Sequence, residues 1–139
     1  IHVKGSIVNE AAYGYEVIDA FEYAGWRGIP YAGYFTTSKA YSHNISYNNL
    51  RGFINLHKPT ILGMFVYSAT QMYGHYVVCK EYDDKNSGTS DDAVRISDPA
   101  DESLFWVDYE DFTSGFSYNG MTGKFGCVNN YHMESVYIN

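Results

Sequence analysis

The chain has 139 residues, 45 % of them hydrophobic, with 9 Lys and Arg against 16 Asp and Glu, a net charge of −7 with neutral histidines. That length suits one domain, here 1–139, and that apolar content is too high for a disordered segment. The acidic balance argues against a nucleic-acid partner, whose phosphates need clustered cations, and no apolar run is long enough to span a bilayer.

Residues 9–24 read as a helix. Tyr13, Val17, Ala20, Phe21 and Ala24 recur at helical spacing, Asn9 is placed to cap the start and Gly25 to end it. Residues 28–44 read as a loop with a short strand. A second helix is expected over 46–56, with Ser46 as N-cap, an apolar stripe of Tyr47, Leu50, Phe53 and Ile54, and a stop at Lys58-Pro59. Residues 60–67, "TILGMFVY", form a continuous apolar run, the pattern of a strand covered on both faces. Strands follow at 75–82 and 93–98, joined by the polar loop 83–92 and ended by Pro99. "LFWV" is a short strand, and "DYEDFTSGF" a short helix capped by Asp108. The tail reads as a last hairpin turning at Asn129-Asn130. The expected class is α+β: helices packed on a mostly antiparallel sheet.

His75 opens one central strand and Asp98 closes its return partner. Directly opposed residues of an antiparallel pair have Cβ atoms about 4.5–5.5 Å apart, so a carboxylate there can orient an imidazole and stabilise its charged form. This is the base-and-orienter half of a nucleophilic triad. Each dipeptide taken alone, Gly-His or Asp-Pro, is more often structural. Cys79 does not complete the triad. It lies four residues along the same extended strand, about 13 Å away, and reads as a buried core thiol. Cys127 sits in a strand context near a turn, with no helix N-terminus to lower its pKa, and also reads as a buried, inert thiol. Pairing of the two is left open by the sequence.

The remaining motifs are weaker. Asp83 and Ser87-Gly88 hint at a calcium loop, but Lys85 occupies a ligand position and no Glu closes it. His2, His43, His57 and His132 lack zinc spacing, and the glycines fit no phosphate-binding pattern, so no metal or cofactor is expected. The 15 tyrosines suit either half-buried β positions or a binding surface. Trp26 and Trp106 are equally compatible with a groove and with core packing.

"LRGFINLHKPTILGMF", "GHYVVCKEYDD", "VRISDP" and "WVDYEDF", preceded by "YGYEVIDAFEYAGW", together resemble the C39-like peptidases, papain-like cysteine peptidases of bacteria. The resemblance runs from about Tyr13 to Phe116. It implies a papain-like half-fold, His75 as general base and Asp98 as its orienting residue. The family's catalytic cysteine lies upstream at the start of a helix, and no cysteine precedes Cys79 here. The expectation is therefore the C-terminal portion of a peptidase domain, inactive alone, with a peptide or protein substrate, an extracellular or cell-surface setting and exposed apolar surface that favours self-association. Cys127 is the remote alternative as nucleophile. A non-catalytic peptide- or ligand-binding module on a degenerate peptidase fold is the competing function.

Overall fold

The computed structural model describes residues 38–41, 45–58, 60–84, 92–129, 131 and 135–138. The helix expected over 9–24 and the tip of the loop over 83–92 lie outside the described residues. Two helices and eight strands are described: β1 (Ser38–Tyr41), α1 (Tyr47–Asn55), β2 (Thr60–Tyr67), β3 (Met72–Asp83), β4 (Ala93–Asp98), β5 (Ser103–Asp108), α2 (Tyr109–Ser114), β6 (Phe116–Tyr118), β7 (Met121–Lys124) and β8 (Ser135–Ile138). The class is α+β, and every described strand pairing is antiparallel.

The sheet order is β1-β8-β2-β3-β4-β5. One edge of β2 carries β3 along its whole length. The other is shared, with β8 beside Thr60 and Ile61 and β7 beside Phe65 to Tyr67. Between those partners the Gly63 amide donates to Ser135 Oγ at 3.0 Å, so a buried backbone donor in the gap stays satisfied. The apolar run of β2 is buried from Leu62 through Val66, as expected for a strand covered on both faces.

α1 follows its apolar stripe. Ser46 caps it, its Oγ accepting from the Asn49 amide at 3.2 Å; Leu50 is buried, and Tyr47, Phe53 and Ile54 pack on the core. Its stop differs from the Lys58-Pro59 reading. His57 takes a left-handed backbone (φ 57°), its amide donates to the Ile54 carbonyl, and the Lys58 amide reaches back to the Phe53 carbonyl at 2.9 Å. That is a Schellman ending with histidine where glycine is usual. Asp108 stands at the N-cap position of α2 but makes no capping hydrogen bond with its side chain.

The C-terminal segment also departs from the expected hairpin. A tight turn does form at Asn129, where Val128 and Tyr131 exchange backbone hydrogen bonds, and among the described residues it stands as an isolated bridge. β7 instead forms a hairpin with β6 around Asn119-Gly120, both at positive φ (47° and 79°), the geometry that Asn-Gly favours between strands. The core joins Leu50 of α1, Phe112 of α2, and Leu62, Met64, Val66, Val77, Cys79, Val94 and Ile96 of the sheet, with Tyr118 and Phe125 closing one end. Burying one such Leu, Ile, Val, Phe or Met is worth about 1.5–3 kcal/mol.

Candidate functional site

His75 is not at the start of its strand. β3 begins at Met72 and runs on past the end of β4. The β3–β4 register pairs Val78 with Ser97, and one more step sets Val77 opposite Asp98. His75 therefore meets Asp98 along a diagonal of the sheet rather than head-on, with Met64 of β2 as its direct partner. Diagonal neighbours lie about 7–8 Å apart, a span that an imidazole and a carboxylate bridge together. They do so here, with His75 Nε2 2.7 Å from Asp98 Oδ1.

The two side chains differ in burial. Asp98 is wholly buried, whereas the His75 side chain keeps 18 % of its surface open. Three donors converge on the carboxylate. The Ala100 amide donates to Oδ1 at 2.9 Å, closing the turn that Pro99 begins, His75 Nε2 reaches the same oxygen, and the Tyr118 hydroxyl donates to Oδ2. Burial pushes the Asp98 pKa up, but the bonds from Tyr118, Ala100 and His75 and the imidazole's charge outweigh it, holding the carboxyl below its ordinary value. An ionised carboxylate only accepts, so Nε2 carries the proton in this contact. The other ring nitrogen, Nδ1, has no hydrogen-bond partner among the described residues.

Tyr118 escaped the sequence reading. It reaches Asp98 from β6, and its ring lies 5.9 Å from that of His75. Burial first, then the bond to Asp98 and the charge of that carboxylate, raises its own pKa. The signal that would have found it is Asn119-Gly120, which marks a hairpin and sets the Phe116-Ser117-Tyr118 alternation with tyrosine buried.

The cysteines separate. Cys79 is a buried, free thiol whose pKa burial pushes up to about 12, so it is the inert core residue expected and does not pair with Cys127. Cys127, expected to be buried, is exposed; it follows β7, which lines the edge of β2 opposite β3. A flank of apparent strand character did not bury it, because the chain leaves the sheet after Lys124. Trp106 is not a core residue: it stands 48 % exposed on the outer side of β5, with the Arg95 guanidinium 5.8 Å from its ring centre. His57 is exposed, and among the described residues no group of His, Cys, Asp and Glu could hold a metal ion.

At the far end of β3, a second polar cluster ties the sheet to α1. Tyr47 and Arg51 both donate to Asp84, and Tyr82 donates to Asn55 Oδ1 at 2.7 Å. Among the described residues, no helix is long and apolar enough to cross a membrane. Compared with known proteins, the chain matches no family model and no curated protein.

Proposed function

We propose that His75 and Asp98 are the general base and orienting carboxylate of a papain-like cysteine peptidase of the C39-like kind. The observation that carries this reading is an imidazole bonded through Nε2 to a fully buried, ionised carboxylate while part of the ring remains open. A general base must keep a ring nitrogen within reach of the proton it abstracts, and the open part of the His75 ring meets that need.

The nucleophile in this reading is a cysteine outside these 139 residues. His75 takes the thiol proton, and the thiolate adds to the peptide carbonyl. Collapse of the tetrahedral intermediate breaks the C–N bond as the imidazolium protonates the leaving amine, leaving a thioester. Water then hydrolyses the thioester, with His75 accepting its proton and returning it to the thiol. Asp98 stays ionised throughout and stabilises the imidazolium.

The test is peptide hydrolysis by the protein extended with its upstream-encoded residues. The reading requires activity that iodoacetamide and His75→Ala each abolish; activity surviving either treatment overturns it. The 139-residue chain alone should hydrolyse nothing.

Exposed Leu104 and Trp106 (44 % and 48 %), two positions apart on β5, favour a second reading, a peptide-binding module on the same fold. An extended protein without a cysteine upstream, which binds peptides and leaves them intact, would select it.

A further inference from the structure

The geometry points to Tyr118 as a positioning residue that holds His75 in its Nε2–H tautomer, turning Nδ1 toward the reacting groups. The inference rests on His75 being the base of the proposed site.

The Asp98 carboxylate has two oxygens, in a wholly buried position. Oδ1 takes the Ala100 amide and His75 Nε2; Oδ2 takes the Tyr118 hydroxyl. The Ala100 amide is fixed by the turn two residues on, and Tyr118 is fixed by its hairpin, which pairs Tyr118 with Met121. With both oxygens claimed from backbone-anchored positions, the carboxylate cannot rotate about its Cβ–Cγ bond. Its remaining lone pair on Oδ1 then faces one atom, His75 Nε2. An imidazole committed to donate from Nε2 presents Nδ1 as its acceptor.

Without the hydroxyl, Oδ2 is left bare inside the protein, an arrangement a carboxylate relieves by rotating or by taking up a proton. Either escape loosens its hold on Nε2. Among the described residues, the other ionisable groups that act on Tyr118 electrostatically are Tyr73 from β3 and Asp101 from the β4–β5 turn, and both disfavour its ionisation. Tyr118 is thus kept as a neutral donor.

The experiment is nitrogen-15 NMR of the His75 imidazole in the full 139-residue chain, with carbon-13 titration of the Asp98 carboxyl. In the native chain, neutral His75 should be almost wholly the Nε2–H form. Tyr118→Phe keeps the ring and removes the donor; it should give a mixture of tautomers and an upward shift of the Asp98 midpoint. Site-specific 3,5-difluorotyrosine at 118 is a stronger donor of the same shape and should move that midpoint the other way, which keeps the test available where the Phe variant folds poorly. Unchanged tautomer and midpoint in the folded variants would overturn the assignment and reduce Tyr118 to packing. Because this readout needs no catalysis, its failure is distinct from failure of the peptidase reading, which hydrolysis by the extended protein decides.

Discussion

Phe116 and Gly123 face each other across the β6–β7 hairpin so closely that a Cβ built on the glycine would lie 2.7 Å from the phenylalanine ring. The ring cannot simply step aside, since it also packs near Phe105, Phe112 and Tyr118. Gly123→Ala should therefore cost about 1–3 kcal/mol, the usual penalty of overpacking. Urea unfolding measures it, and a loss below about 0.5 kcal/mol would show that the hairpin relaxes freely.

Removal of either member of the His75–Asp98 pair should have unequal effects on stability. Asp98→Ala strands the buried Tyr118 hydroxyl, at about 1–3 kcal/mol for an unsatisfied buried group, and also removes the acceptor of the Ala100 amide. His75→Ala leaves a carboxylate that still has two donors and a space water can enter, at about 1 kcal/mol or less. Equal losses in urea titrations of the two variants would contradict the picture of Asp98 as the buried hub.

Acid should weaken the fold through Asp98. Its folded pKa lies below the ordinary value of 3.8, so in the interval between the two the unfolded chain binds more protons than the native one. Stability contributed by this group is present above 3.8 and is lost as the pH falls through the folded value. Urea midpoints measured from pH 5 downward should drop more in the native chain than in Asp98→Asn; parallel curves would rule this contribution out.

The Cys79 thiol supplies the opposite sign. Cys79 keeps its proton to about 12 when folded, against 9.0 ordinarily, so between those values the native state binds the extra proton. Its contribution is complete below 9 and fades as the pH rises to 12, by about 1.4 kcal/mol per pH unit within the window. A thiol reagent at neutral pH should modify Cys127 rapidly in the native chain and Cys79 only after denaturation; prompt modification of Cys79 would show that its site opens.

His57 offers a stabilising change. A non-glycine residue in the left-handed region costs about 1–2 kcal/mol, partly offset by the entropy glycine loses on folding. His57→Gly should raise stability by about 0.5–1 kcal/mol in urea titration.

How far these features were legible depends on how local their causes are. The run 60–67, the strand 93–98 and α1 with its Ser46 cap were readable because continuous apolarity, an Asp-Pro stop and a polar cap before a 3.6-residue stripe are written within one segment. The His75–Asp98 contact was legible because a single hairpin joins the two. Its diagonal geometry was not, since register is set by the whole ladder. Tyr118 and the exposure of Cys127 were hidden for a similar reason: the first depends on a small hairpin folding back over a strand 20 residues away, the second on where the chain leaves the sheet.

The irregularity in β3 between Cys79 and Glu81 sets Cys79 opposite Ile96 but Glu81 opposite Arg95, so two steps on one strand answer one step on the other. On the His75 side of it, even steps from Cys79 point into the core; on the Tyr82 side the parity is inverted, which lets Tyr82 reach Asn55 of α1 while Glu81 turns outward to Arg95. The extra residue works as a phase shifter. It allows one continuous strand to present an imidazole at one end and a helix anchor at the other, both on the same side of the sheet, although odd and even positions alone would place them on opposite sides. A chain shortened by that one residue could keep one end in phase, but not both.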